Sequence, residues 1–152
     1  MIELLPDFRD LLVELARARA DFVVVGGHAV AFHGHPRATK DLDVLLRATP
    51  DNAERVYRAL AAFGAPIEAF DVRVEDFHTY DGVLQIGIAP VRIDLINRIE
   101  AVTFDEAIAD GCSFDLDGER IPVIGHDALV RNKTAVGREQ DLADVVALTG
   151  SP

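Results

Sequence analysis

Apolar positions recur at three- and four-residue intervals through Phe8, Leu11, Leu12, Leu15 and Ala18, which predicts an amphipathic helix over residues 7–20. Asp7, directly after Pro6, is a fitting N-cap for it. The pattern then changes. Phe22-Val23-Val24-Val25 is a short, continuous, β-branched apolar run and reads as a buried strand. It ends at Gly26-Gly27, residues 28–33 regain helical character, and Gly34 is a suitable stop. A polar connection, residues 35–40, leads into a second strand, 41–46. Val56, Leu60 and Phe63 share one face of a second helix over 51–63, closed by Gly64 and Pro66. Strand-like segments follow at 67–74, 83–88 and 91–96, the last two joined through Ala89-Pro90. A short helix is expected at 104–109, and Asp117-Gly118 is a hairpin turn between 114–116 and 121–123. Helical patterns at 126–136 and 139–149 finish the chain. The expected architecture is α+β or α/β: a mixed sheet of four to six strands flanked by helices.

Composition narrows this picture without redirecting it. A chain of 152 residues with no repeat or low-complexity linker fits a single domain, 1–152, whose C-terminal helices occupy 126–149. Cys112 is the lone cysteine, so neither an intrachain disulfide nor a cysteine metal cage can form. The opening residues, Met1 to Asp7, are acidic where a secretion signal would be basic, and no apolar run approaches the roughly 20 residues of a membrane span. These features lead to the expectation of a cytoplasmic, non-membrane protein. The net charge of −11 argues against passive binding to nucleic acid, which depends on Lys and Arg neutralising phosphates. It suits a domain that collects divalent cations, a cationic small molecule or a basic partner.

The candidate chemistry lies in three aspartates and two glycines. Asp41 and Asp43 stand two apart on a predicted strand, so both side chains leave the same face, while Leu42 and Val44 point to the core. Adjacent carboxylates repel unless a cation lies between them, and hard oxygen ligands of this kind suit Mg²⁺ together with substrate phosphates. Asp94 interrupts the apolar run Val91, Ile93, Leu95 on the opposite face of its own strand. If that strand lies beside 41–46, three carboxylates converge, to hold two metals or to hold one and leave a base. Gly26-Gly27 closes a strand and opens a helix, where bare backbone N–H groups can approach an anion. The order strand, Gly-Gly, helix, loop, Asp-x-Asp is a phosphate cradle next to a metal site. Against it stands a plainer pairing of Asp94 with Arg92. His28, His33 and His35 do not share a helical face and read as packing or loop residues, not as zinc ligands.

The run Gly26-Gly27-His28-Ala29-Val30, His33-Gly34, Arg37-Ala38-Thr39-Lys40-Asp41-Leu42-Asp43 resembles the first motif of the nucleotidyltransferase superfamily, whose fold is like that of DNA polymerase β. It is most similar to the small bacterial branch that contains abortive-infection toxin nucleotidyltransferases. Lys133, Arg138, Asp141 and Asp144 resemble the C-terminal signature of that branch. The resemblance implies a nucleotidyltransferase fold with Asp41, Asp43 and Asp94 as catalytic and metal residues. It implies Gly26, Gly27, Arg37, Thr39 and Lys133 as nucleotide-binding residues, with Asp141 and Asp144 lining or bracing the site. It further implies Mg²⁺ (or Mn²⁺), an NTP such as ATP as substrate, and transfer of NMP to tRNA, a protein or a small molecule. A toxin–antitoxin role would add an antitoxin, a second subunit or a homo-oligomeric copy as partner. Superfamily members often carry Ser where this chain has Gly27, and many have a second helical domain for the acceptor. Two other readings are a small antibiotic-modifying nucleotidyltransferase and a nucleotide-binding partner module without turnover.

Overall fold

In the computed structural model of the protein, the described residues are 4–69, 71–78, 83–88 and 91–150. The elements are α1 (Pro6–Arg17), β1 (Phe22–Val25), α2 (Gly26–Phe32), β2 (Asp41–Leu46), α3 (Pro50–Phe63), a 3-10 turn (Val74–Phe77), β3 (Val83–Ile88), β4 (Val91–Ile96), α4 (Phe104–Ile108), β5 (Ser113–Leu116), β6 (Glu119–Pro122), α5 (His126–Val136) and α6 (Glu139–Thr149). Four strands form one mixed sheet in the order β1-β2-β4-β3, and β5 and β6 form a hairpin. β2 and β4 run parallel, while β1 and β3 flank them antiparallel. This is the α+β arrangement of a mixed sheet flanked by helices.

The alternation along β2 decides which face becomes core. Leu42 and Val44 are fully buried, and Asp41 and Asp43 leave the other face. On β4, Ile93 and Leu95 are buried in the same way. α1 packs on α3, joining Leu11, Leu12 and Leu15 to Val56 and Leu60 in one apolar cluster. The end of the hairpin lies against β1, with Ile124 N–H donating to Val24 O at 3.0 Å. Asn52, buried at the start of α3, donates to the carbonyls of Asp21 and Arg47 and so fixes the near ends of β1 and β2. Among the described residues no helix is long and apolar enough to cross a membrane.

Three local expectations are corrected. Helix α1 starts at Pro6 with Leu5 as N-cap and no side-chain cap bond, so Asp7 sits in the first turn instead. Helix α2 starts at Gly26, two residues early, so the glycine pair is itself the first turn. Residues 67–74 are not a strand. Val72 N–H donates to Ile67 O at 2.9 Å and Asp71 has φ of 54°, so the chain turns on itself. Its apolar anchors, Ile67 and Phe77, are buried on either side of an acidic stretch that has no strand partner among the described residues. The Ala89-Pro90 junction and the first three residues, on which the N-terminal reading partly rests, lie outside the described residues.

Candidate active site

The sheet register creates the central feature of the site. In the parallel pair β2/β4, Asp43 is aligned with Asp94 and Asp41 with Arg92. Neighbouring strands are roughly 4.8 Å apart, so the Asp43 and Asp94 carboxyls meet on one face. Burial, then the charge of Asp94 and a hydrogen bond to it, then the charge of Asp41, push the Asp43 carboxyl up to about 7; Lys133 partly offsets this. A carboxyl raised in this way is the usual outcome when two carboxylates are forced together.

Arg92 supplies the counter-charge on the other side. Its Nε donates to Asp94 Oδ1 at 3.0 Å, and its Nη2 lies 3.3 Å from Asp41 Oδ2. Hydrogen bonding to Asp94 raises the Arg92 pKa further. With the side chains so arranged, no three His, Cys, Asp or Glu residues among those described are set to hold a metal ion. The donor chemistry nevertheless fits a hard divalent cation. Asp43 and Asp94 are adjacent oxygen ligands whose mutual repulsion a cation would relieve, with Asp41 two residues along the same strand face. Asp41, Asp43 and Asp94 would hold it.

Gly26 touches this centre directly. It has φ of +68°, and a Cβ there would collide with Asp43 Oδ2. A Cβ on Gly27 would come within 2.7 Å of Thr39 Oγ1 and 3.1 Å of Arg37 Nη2. The structure therefore gathers Gly26, Gly27, Arg37, Thr39 and Asp43 in one place. The N-cap of α2 is Val25, whose side chain makes no cap hydrogen bond to the helix's first-turn N–H groups. Alanine at Gly26 combines left-handed backbone strain with displacement of a carboxylate. Gly26→Ala is expected to cost about 1 kcal/mol or more of stability and roughly 100-fold in transfer rate, because an ångström of misplacement is enough for that loss. Gly27→Ala crowds Thr39 Cβ at 3.0 Å as well as the Thr39 hydroxyl and Arg37, but carries no left-handed strain and touches no carboxylate, and should lose less. Comparing thermal melts and rates of the two variants checks the assignment.

A second cluster, from the C-terminal helices, borders the first. Asp141 and Asp144 on α6 are buried, and Lys133 on α5 lies between them at 3.2 and 2.9 Å. Arg37 grips Asp144 with two bonds, Nε at 2.8 Å and Nη2 at 2.9 Å. Arg138 donates to Asp141 Oδ2 at 2.7 Å. Burial pushes both aspartates up, but bonds from Arg138 and Lys133 to Asp141, and from Arg37 and Lys133 to Asp144, bring them below the ordinary 3.8. Three cations around two anions leave the cluster net positive beside Asp43. Because both folded-state pKa values are depressed, this stabilisation is present above the unfolded value of 3.8 and is lost as pH falls below it and through the lower folded-state values. The melting temperature should therefore drop steeply below about pH 4, and Asp144→Asn should make that drop shallower.

Sequence reasoning missed two things here. Arg37, a phosphate candidate, spans 107 residues of sequence to reach Asp144, and no local pattern announces such a pair. Arg92 serves Asp41 as well as Asp94, which only the strand register reveals. His28, read from the sequence as a packing or loop residue, is buried and meets Phe8 edge-on at 5.6 Å; burial lowers its pKa. His33 Nε2 lies 2.8 Å from Ile124 O, and His35 is exposed. Thr39 donates weakly to Asp41 O at 3.4 Å, within the site loop.

The fold has solved counterparts. The crystal structure of an inferred nucleotidyltransferase from Thermotoga maritima matches with a TM-score of 0.55 and 16% identity, over 94% of this chain and 90% of that one. A structure of ANT(2")-Ia in complex with adenylyl-2"-tobramycin matches with a TM-score of 0.49 and 12% identity, over 94% and 95% of the two chains. No curated protein matches the sequence. The family model for a nucleotidyl transferase of unknown function (DUF2204) matches residues 5–149, nearly the whole chain, and the protein belongs to that nucleotidyltransferase family.

Proposed function

We propose that this nucleotidyltransferase transfers NMP from an NTP to an acceptor hydroxyl, with Mg²⁺ (or Mn²⁺) held by Asp41, Asp43 and Asp94. The observation that carries the reading is the Asp43–Asp94 pair: two carboxylates in register on parallel strands, one pushed up to about 7, against a glycine turn that leaves no room for a side chain. When bound, the metal supplies neutralisation of the triphosphate and of the charge that develops on the α-phosphoryl group.

The residues divide the remaining work. The uncapped backbone N–H groups of Gly26 and Gly27 donate to phosphate oxygens, and Thr39 holds the loop beside them. Lys133, Arg37 and Arg138 supply a positive field; Asp141 and Asp144 hold those cations in place. Asp94 takes the proton from the acceptor hydroxyl. The acceptor oxygen then bonds to the α-phosphorus, the bond from that phosphorus to the bridging oxygen breaks, and pyrophosphate leaves with the bond's electron pair. Likeness to the toxin branch favours tRNA or a protein as acceptor, with an antitoxin as partner. The net charge of −11 suits a cationic small molecule equally well.

The test is incubation with each of four α-labelled NTPs and Mg²⁺, with total tRNA, with the protein alone and with a panel of hydroxyl-bearing cationic compounds. Label should move to one acceptor class and stop on adding EDTA. Metal-dependent nucleotide binding without transfer to any of them would overturn the reading in favour of a binding module.

A further inference from the structure

We infer that Arg92 is a resident counter-cation, which a divalent metal must displace from Asp41 and Asp94 and which nucleotide phosphate then receives. The inference rests on the metal assignment above. Arg92 is in register with Asp41 and two residues from Asp94, so its planar fork reaches both carboxylates, at 3.3 and 3.0 Å. It thereby occupies oxygens that a metal would use. Guanidinium and metal are like-charged and draw on the same two carboxylates, so each binds at the expense of the other. The side chain is 35% exposed, and it can swing out without opening the core.

Arg92 differs from the other cations of the site in its partners. Arg37, Lys133 and Arg138 are tied to Asp141 and Asp144, which hold no assigned metal. Arg92 alone among these four is bound to proposed metal ligands, so metal binding frees it and leaves the others in place. A freed guanidinium beside a metal–triphosphate centre has a geometrically matched partner in phosphate. Metal and nucleotide then favour one another, because the first releases the group that the second uses. Without nucleotide, the same contact keeps the carboxylates balanced and holds metal affinity down.

The experiment measures Mn²⁺ binding to the metal-free full chain by calorimetry, for wild type, Arg92→Gln, Arg92→Lys and Asp43→Asn. Arg92→Gln should bind Mn²⁺ at least about ten-fold tighter, which is ~1.4 kcal/mol. Arg92→Lys keeps a charge without the fork and should fall between, and it carries the test if the Gln variant does not fold. In turnover, Arg92→Gln should need less Mg²⁺ for half-maximal rate yet show a raised KM for NTP. Mn²⁺ binding that is lost in Asp43→Asn but equal or weaker in Arg92→Gln would overturn this inference while leaving the metal assignment standing. No Mn²⁺ binding to any variant would overturn both. An unchanged KM would overturn the transfer of Arg92 to phosphate.

Discussion

Asp43→Asn is expected to lower nucleotidyl transfer by at least about 1,000-fold, the scale on which a preorganised electrostatic group counts in catalysis, with the fold preserved. Asp43 is the central carboxylate of the site: aligned with Asp94, two residues from Asp41 and pressed against Gly26. An amide is a neutral, weaker ligand and cannot neutralise a divalent cation. The same change removes one of two carboxylates that repel each other. The metal-free variant should therefore unfold at or above the wild-type temperature, and circular dichroism should be unchanged. Rate assays paired with thermal melts separate this from simple misfolding. Substantial activity in a folded Asp43→Asn protein would remove the carboxylate cluster from the mechanism.

Lys133→Met is expected to cost about 3 kcal/mol of stability, at the lower end for breaking a buried ion pair, and so to lower the melting temperature by roughly 6–12 °C. Lys133 is only 5% exposed and lies between two aspartates that are 1% and 2% exposed. Methionine fills the same space but removes the one cation that bonds both aspartates, leaving each buried carboxylate with a single arginine, Arg37 on Asp144 and Arg138 on Asp141. The double variant Lys133→Met, Asp144→Asn should be less destabilised than the sum of the single ones, because both changes break the same Lys133–Asp144 contact. Denaturant titration of the four proteins reads this directly. Equal, small losses in all would mean that the cluster is a solvated pairing with no part in holding α5 against α6.

What could be read from the sequence is what depends on local spacing. Alternation along residues 41–46 is a property of any extended strand, so the shared face of Asp41 and Asp43 needed no structure. The helices at 50–63, 126–136 and 139–149 follow from periodicity and glycine stops, and the Asp117-Gly118 turn follows from its tolerance of positive φ. Residues 67–74 misled because apolar positions such as Ile67, Val72 and Val74 interleaved with charged ones look the same whether or not a partner strand exists. Pairing is a tertiary fact. For the same reason the sequence by itself determined that three carboxylates and a glycine pair were present, but not that they meet. Only the parallel alignment of β2 with β4 places Asp43 beside Asp94 and hands Arg92 to both Asp41 and Asp94. Only the packing of the C-terminal helices brings Asp144 to Arg37. Charges interact through distance in space, which chain order does not encode, and so their partners are decided where the elements pack.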